Sequence, residues 1–220
     1  MKTALHGSAI IRLDDFDFAL LPGHALWWEA ERTLFVTDLH FGKEASFRFH
    51  GIPVPDVVSQ DLARLDRLIR QTQCEQLVIL GDLLHARSGR SSALEEQVAR
   101  WRDQHDDIDM KLIIGNHDRG AGNPPVSWRI TCHEEPYLHR SLQLVHHPQF
   151  TESAPTLAGH LHPKFRLQGR GERLNLPGFL LRNQTLVLPA FCSFVDHGLI
   201  QPERTDNVFV AADEHVLQIQ

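Results

Sequence analysis

The chain has 220 residues, of which 42% are hydrophobic and 23% are charged. This composition is enough for one sizeable core, so we expect a single domain over residues 1–220. No apolar run reaches the ~20 residues of a membrane helix, and Arg12, Asp14 and Asp15 precede any apolar segment of signal-peptide length, which predicts a soluble, cytoplasmic protein with no membrane partner. The net charge of −6 argues against a surface that binds nucleic acid over its whole area.

The cysteine content argues against a disulfide or thiolate site, whereas the histidine content indicates a metal site. The three cysteines, Cys74, Cys132 and Cys192, have no C-x-x-C spacing, which indicates buried thiols rather than a disulfide framework or a thiolate zinc site. Histidine is abundant, with 15 residues, and many of them lie beside Gly, Asp or Asn. A metal site is therefore the first hypothesis to consider.

Short strands separated by turns are predicted for residues 8–37. The predicted strands are Ala9–Ile11, Phe16–Leu21, Ala25–Trp28 and Thr33–Val36. A helix is predicted over Asp56–Gln71, because apolar residues recur there at helical spacing and Asp56 is placed as its N-cap. A second helix is predicted over Ser92–Gln104. The apolar runs Leu77–Leu80 and Leu112–Ile114 predict buried strands of an α/β protein, each ending at a polar motif.

The second half of the chain predicts mostly sheet, since no helical periodicity is sustained after residues 124–125. Its predicted strands are Leu142–Val145, Thr156–Ala158, Phe179–Leu181, Leu186–Leu188, Val208–Val210 and Val216–Ile219. Residues 168–171 indicate at most a hairpin tip. Together these elements predict two sheets packed face to face with helices outside.

Five polar motifs follow predicted strands. They are Asp38-Leu39-His40, Gly81-Asp82, Gly115-Asn116-His117-Asp118, Val145-His146-His147 and Gly159-His160-Leu161-His162. Any one of them occurs by chance in many chains, and a lone histidine is more often a hydrogen-bonded imidazole than a ligand. Five in this order, each offering only carboxylate, imidazole or amide groups, indicate a shared site at the carboxyl ends of the strands.

This order of motifs resembles the calcineurin-like metallophosphoesterase superfamily, D-x-H, G-D, G-N-H-[DE], H and G-H-x-H, over almost the whole chain. Residues 38–43, 47–55 and 146–148 are similar to the bacterial ligase-associated DNA-damage-response endonuclease branch. The resemblance implies a four-layer α/β/β/α sandwich, in which two mixed sheets are flanked by helices. It also implies a functional link to an ATP-dependent DNA ligase and a helicase.

Two divalent metal ions are implied by the resemblance. The first would be held by Asp38, His40, Asp82 and His162, and the second by Asp82, Asn116, His146 and His160, with Asp82 as the bridge. These donors suit borderline ions, so we expect Mn²⁺, with Fe²⁺ or Zn²⁺ as alternatives. The positive charge of two such ions exceeds the negative charge of the two carboxylates, so the site would attract phosphate although the protein is acidic. Either His146 or His147 could be the ligand, and the family pattern places the ligand first.

A mechanism is implied by the same resemblance. A metal-bound hydroxide would attack phosphorus in line, His117 would act as general acid, and Asp118 would orient the imidazole of His117. A hydrogen bond within the loop is the alternative role for His117. His147 is expected to support the ligands or to contact substrate, while His85 is either a substrate contact or an exposed loop residue.

Basic residues follow the motifs within about ten positions, so they would lie on one rim if the motifs converge. They are Lys43, Arg48, Arg87, Arg90, Arg119, Lys164 and Arg166. Lys43, Arg48, Arg87 and Arg166 are the candidate substrate contacts, with solvated loop charge as the alternative for each.

The leading hypothesis for function is a two-metal phosphodiesterase, a nuclease that processes DNA ends or single strands in damage repair. The alternative within the enzyme class is a small-molecule phosphohydrolase, such as a nucleotide pyrophosphatase, cyclic nucleotide phosphodiesterase or phosphomonoesterase. A non-catalytic scaffold of the same fold is a third hypothesis, and it is disfavoured because such scaffolds typically lose ligands. The sequence does not indicate an oligomeric state.

Overall fold

The computed structural model describes residues 5–49, 54, 57–169, 172–194 and 198–220, and only the backbone of residues 46, 48, 49 and 172. The four α-helices in these ranges are α1 (Lys43–Phe49), α2 (Val57–Thr72), α3 (Ser92–Asp103) and α4 (Asn116–Ala121). Single 3₁₀ turns occur at Glu29–Glu31, Arg87–Gly89 and Val126–Trp128. None of the described helices is long and apolar enough to cross a membrane.

The first sheet has seven described strands in chain order. They are β1 (Ala9–Leu13), β2 (Phe16–Leu21), β3 (Ala25–Trp28), β4 (Thr33–Val36), β5 (Gln76–Ile79), β6 (Asp109–Ile113) and β7 (Ile130–His133). Strands β1 to β4 pair antiparallel through short turns, whereas β4 to β7 are parallel. Because parallel neighbours need long crossovers, α2 and α3 lie in the connections, and the carboxyl ends of β4, β5 and β6 meet at one edge.

The second sheet has nine described strands. They are β8 (Tyr137–His139), β9 (Leu142–Leu144), β10 (Thr156–Ala158), β11 (Pro163–Gly169), β12 (Glu172–Arg182), β13 (Thr185–Val187), β14 (Gly198–Leu199), β15 (Asn207–Ala212) and β16 (His215–Gln218). The spatial order is β14-β11-β12-β13-β10-β9-β8, with β15 between β12 and β16. Strand β10 is parallel to both β9 and β13, so the sheet is mixed.

The core between the sheets is built by strand alternation, in which every second side chain faces the partner sheet. Phe18 and Phe35 from the first sheet pack with Leu157 and Phe179 from the second, and all four are almost completely buried. The predicted sandwich of two packed mixed sheets with helices is therefore confirmed.

Helices α2 and α3 cover the outer face of the first sheet. Leu62 and Leu65 of α2 and Val98 of α3 are buried in one cluster with Leu34 of β4. On the outer face of the second sheet, the described buried cluster consists of strand and near-strand residues such as Phe165, without a helical member.

Most predicted elements are confirmed. The four early strands, both predicted helices and the strands near residues 77–80 and 112–114 are present within a few residues of the expected bounds. The structure adds two short helices, α1 and α4, and the strands β7, β8, β11 and β14, which the sequence did not predict. The predicted N-cap Asp56, residues 50–53 and 55 of the second similar segment, and residues 170 and 171 of the hairpin tip lie outside the described residues.

Candidate metal centre

The loops that follow β4, β5, β6, β9 and β10 meet at one edge of the sandwich. They hold the seven candidate ligands: Asp38, His40, Asp82, Asn116, His146, His160 and His162. Backbone bonds join these loops, since Asp38 N donates to Gly81 O at 3.0 Å and His40 N donates to Asp82 O at 2.9 Å. The convergence predicted from the motifs is thus present.

Five of the seven candidates have a left-handed backbone. Asp38, His40, Asp82, His160 and His162 have φ between 46° and 70°. Few residues other than glycine adopt this region, and each case has an energetic cost that the surrounding structure must offset. Such strain, concentrated in one cluster, is typical of a functional site rather than of a packing detail.

The glycines of the motifs leave room for the cluster. Gly81 has φ +88°, and a Cβ atom there would lie 2.1 Å from Nδ1 of His146. A Cβ at Gly115 would lie 2.3 Å from Oδ1 of Asp82. Each glycine is required because a candidate ligand from another loop occupies the space that its side chain would take.

The first half of the cluster gathers around Asp38. Its Oδ1 lies 3.0 Å from Nε2 of His162 and 3.8 Å from Nε2 of His40, and the two imidazole nitrogens are 3.4 Å apart. The other carboxylate oxygen of Asp38 is occupied, because it accepts from His160 N at 3.0 Å and lies 2.8 Å from the Thr37 hydroxyl. Oδ1 is therefore the oxygen left for a ligand.

The second half gathers around His146, whose side chain is fully buried. Its Nε2 lies 3.2 Å from Asp82 Oδ2, 3.1 Å from Asn116 Oδ1 and 3.2 Å from His160 Nδ1. Nδ1 of His146 donates to Leu80 O at 2.9 Å. This bond leaves Nε2 as the nitrogen that faces the other three donors.

Asp82 connects the two halves. Its Oδ1 accepts from His117 N at 2.9 Å, so its orientation is fixed by the loop after β6. Its Oδ2 lies 3.2 Å from Nε2 of His146 and 4.0 Å from Nε2 of His40. One oxygen is thus close to donors of both halves, as the implied bridging role requires.

The donor set fits divalent cations. Asp38 Oδ1 is buried and forms no hydrogen bond with another described residue, although imidazole nitrogens surround it. Lone pairs facing one another across about 3 Å repel unless a proton or a cation lies between them. Carboxylate, imidazole and amide donors are those of borderline transition metals, which supports a metal centre but does not select one ion.

The electrostatics of the cluster also favour a cation. Burial raises the pKa of Asp82, but the hydrogen bond and charge of His146 outweigh it and lower that pKa to about 2. Burial opposes protonation of His146, yet its bond to Asp82 and the charges of Asp38 and Asp82 raise its pKa to about 9. Without a metal, the buried carboxylates therefore recruit a proton at His146.

Metal binding should depend on pH for this reason. Between pH 6 and 8, Mn²⁺ must displace the proton from His146, so its affinity should rise with pH by up to about tenfold per unit. His40, whose pKa burial lowers to about 3, is already neutral there and should contribute nothing. Calorimetric titration of the metal-free chain, in buffers of different ionisation heat, should detect release of about one proton. An affinity that does not change with pH would contradict this prediction.

His117 lies beside the first half of the cluster. Its ring centroid is 4.9 Å from that of His40, and its Nδ1 donates to the backbone carbonyl of His85 at 2.8 Å. The prediction that Asp118 orients His117 is wrong. The two oxygens of Asp118 instead accept from Leu84 N at 2.9 Å and Gly115 N at 3.0 Å, because the short helix α4 turns that carboxylate into the loop behind the site.

The ring of His85 stacks on His117, with centroids 4.8 Å apart and 22° between the planes. His85 is half-buried, and burial followed by the charge of His117 lowers its pKa to about 4. The alternative of an exposed loop residue is therefore wrong, and the structure places His85 at the edge of the ligand cluster, with its ring centroid 5.5 Å from that of His40.

Glu135 is a site residue that the sequence analysis missed. One carboxylate oxygen accepts from the backbone N–H groups of His146 at 2.7 Å and His147 at 2.9 Å, and the other accepts from His147 Nδ1 at 2.6 Å. It fixes both histidines and assigns them different positions: His146 is buried within the cluster, while the side chain of His147 is 43% exposed at its edge. Glu135 belongs to no motif and lies 11 residues before His146, so no signal in the sequence identified it.

Replacement of Glu135 should loosen the second half of the cluster. In Glu135→Gln the amide N–H₂ would face the Nδ1–H of His147, and the loop would shift. We expect Mn²⁺ affinity or kcat/KM to fall by about 10–100-fold. This is the usual effect of removing a group that orients a metal ligand. Metal content at limiting Mn²⁺ measures it directly.

The matched control is Glu134→Gln, because Glu134 is the exposed neighbour and pairs with Arg119 on the surface. It should behave as wild type, since exposed ion pairs contribute little. Wild-type metal content and kcat/KM in Glu135→Gln would refute the orienting role.

The candidate basic contacts are dispersed. Lys43 begins α1 and is close enough to His85 to help lower its pKa. Arg87 is exposed on a 3₁₀ turn, and Arg166 is exposed on β11, where it donates to Asn175 at 3.3 Å. The side chain of Arg48 lies outside the described residues.

Two other members of the predicted rim have structural partners. Arg90 pairs with Glu95 at 2.8 Å and donates to Asn123 O, and Arg119 pairs with Glu134. These two guanidinium groups are therefore less available to an anionic substrate than the sequence analysis expected.

Comparison with known proteins agrees with this geometry. A family model described as calcineurin-like phosphoesterase matches residues 31–187. The chain is similar to the crystal structure of Pseudomonas putida nuclease MPE, at 40% identity and a TM-score of 0.83, over 96% of this chain and 100% of that one. A structure of Yfce, a phosphoesterase from E. coli, matches at 15% identity and a TM-score of 0.42, over 85% of this chain and 97% of that one. No curated protein matches. The predicted family is confirmed: the chain belongs to the calcineurin-like phosphoesterases, and it is a metal-dependent phosphoesterase.

Proposed function

We propose that the protein is a two-metal phosphodiesterase that cleaves DNA, with Mn²⁺ as the expected ion and single strands or ends as the expected substrate. The observation that carries this proposal is Asp82 Oδ2, which lies 4.0 Å from Nε2 of His40 in the first half of the cluster and 3.2 Å from Nε2 of His146 in the second half. Two divalent ions held there would supply Lewis-acid activation of a phosphodiester and of the attacking water.

The residues of this chain have separate tasks in that reaction. The buried carboxylates and imidazoles would bind the ions, and their left-handed loops hold these side chains together at the cluster. His117, held at Nδ1 by the His85 carbonyl, presents Nε2 as the nitrogen from which it would protonate the leaving oxygen. His85 and the exposed His147 border the substrate.

The similarity to a nuclease of 40% identity over almost the whole chain supports nucleic acid as the substrate. The role in DNA repair, and the link to a ligase and a helicase, rest on the family resemblance. One observation favours the small-molecule alternative: the protein has a net charge of −6, and Arg90 and Arg119 are engaged with glutamates.

A substrate panel tests the proposal. The purified chain with Mn²⁺ would be given an aryl phosphodiester, an aryl phosphomonoester, a 2′,3′-cyclic nucleotide and a single-stranded oligonucleotide. We expect cleavage of the aryl diester and the oligonucleotide, with log K for DNA falling against log salt at a slope of only about −2 to −4, because few phosphates would be contacted. Cleavage of the monoester or the cyclic nucleotide alone would favour the small-molecule enzyme. Two bound ions without any hydrolysis would favour the scaffold.

A further inference from the structure

A cavity of about 210 Å³ adjoins the metal centre on the far side of His147. Glu135 and His147 form the wall between the two spaces. The ring of His147 lies 4.4 Å, centroid to centroid, from that of His160, and one of its nitrogens is within 4.8 Å of ligand nitrogens of His146 and His160. A phosphate at the metal centre and a group in the cavity would therefore contact opposite sides of one imidazole.

The wall is fixed rather than adaptable. Because Glu135 holds both the ring and the backbone of His147, the imidazole cannot swing into the cavity without breaking bonds of 2.6 and 2.9 Å. The cavity is thus a preformed space, as is usual for small ligand sites.

The chemistry of the lining fits a planar heterocycle. Pro136 and Val145 provide apolar surface, and Gln143 and Gln149, each of which carries a side-chain amide, line the same space. Neither amide forms a hydrogen bond with another residue that the structure describes. A side-chain amide offers both a donor and an acceptor, which is the pattern that pairs with the edge of a nucleobase.

A second phosphate would fit the cavity poorly. Among the described residues that line it there is no lysine or arginine, and Glu135 contributes a carboxylate. The volume accommodates one ring system but not a base pair, so a base could enter only when it is unpaired.

We propose that this cavity binds the nucleobase of a nucleotide that flanks the scissile phosphate, with Gln143 and Gln149 contacting the base edge. The inference rests on the proposed function in taking a nucleotide phosphodiester as substrate. It assigns recognition of the base to the second sheet, and hydrolysis to the centre shared by both sheets.

Three esters with the same leaving group test the proposal: a nucleoside 5′-(4-nitrophenyl) phosphate, the corresponding 3′ ester, and methyl 4-nitrophenyl phosphate. One nucleoside ester should have a KM lower than that of the methyl ester by about fivefold or more, the effect of binding one base. The double variant Gln143→Ala, Gln149→Ala should lose most of this difference. It should still hydrolyse the methyl ester as wild type does, which shows that its fold and metal centre are intact.

The matched control is Gln104→Ala, an exposed glutamine at the end of α3, which should keep the full difference. Equal KM values for the three esters in the wild type, or a nucleoside preference that survives the double variant, would overturn the proposal.

Calorimetry separates this proposal from the proposed function. If none of the three esters is hydrolysed, the proposed phosphodiesterase function is wrong. Calorimetric titration of the Mn²⁺-loaded chain with a nucleoside monophosphate and with methyl phosphate still tests whether the cavity binds a base. Tighter binding of a nucleoside monophosphate than of methyl phosphate, lost in the double variant, would support it. Equal binding of the two would overturn it.

Discussion

Asp82→Asn should abolish hydrolysis of every phosphodiester, by about 10³-fold or more, because the substitution affects both halves of the metal centre at once. The asparagine would keep the bond from His117 N at the position of Oδ1. At the position of Oδ2 it removes the negative charge and can place an N–H₂ group 3.2 Å from His146 Nε2 and 4.0 Å from His40 Nε2. Neither half would then have an anionic oxygen to share.

The metal content of the variants shows whether one half of the metal centre is affected or both. We expect Asp82→Asn to bind fewer than two Mn²⁺ ions per chain, whereas Asn116→Ala should chiefly weaken one ion, because Asn116 Oδ1 lies 3.1 Å from Nε2 of His146 in the second half of the cluster. The matched control is Asp107→Asn, an exposed aspartate in the turn after α3. Wild-type hydrolysis by a folded Asp82→Asn protein would refute the two-metal centre.

The fold was predictable where local pattern and tertiary environment agree. Strands β1 to β4 are bounded by turn residues, and α2 has a single apolar face, so periodicity was enough to identify them. Helix α1 escaped prediction because its seven residues, Lys43–Phe49, are too few for a helical period to stand out. Strands β7 and β8 escaped because they are short and half-exposed, and their pairing partners decide their conformation.

The ligand cluster was predictable from motifs because its donors come from short segments at strand ends. What the motifs could not provide is the set of partners contributed by the backbone and by distant loops. The carbonyl of His85 orients His117, and backbone carbonyls have no signature in a sequence. Asp118 was assigned that task from its adjacency to His117, but the turn of α4 directs its carboxylate to Leu84 N and Gly115 N.

The role of Glu135 was also not predictable from the motifs. Its contacts with His146 and His147 depend on how the loop between β7 and β8 packs against the loop after β9. That juxtaposition follows from the order of strands in two different sheets, which hydrophobic periodicity does not determine.

His117→Ala should separate substrates by their leaving groups. If His117 protonates the departing oxygen, its loss should slow cleavage of an oligonucleotide, which expels a poorly leaving alkoxide, by ~10²–10⁴-fold. An aryl diester should be nearly unaffected, because a phenolate departs without protonation. The geometry supports this role, since the bond from Nδ1 to the His85 carbonyl leaves Nε2 as the nitrogen that can deliver a proton.

Two measurements make the test decisive. Metal content must equal that of wild type, because the ring of His117 lies 4.9 Å from that of His40 and its removal must not be mistaken for loss of an ion. His215→Ala serves as the control, since His215 is exposed at the start of β16 and should leave both substrates unaffected. Equal losses on the oligonucleotide and the aryl diester, with both ions bound, would assign the side chain of His117 to positioning of the loops through its bond to the His85 carbonyl rather than to proton transfer.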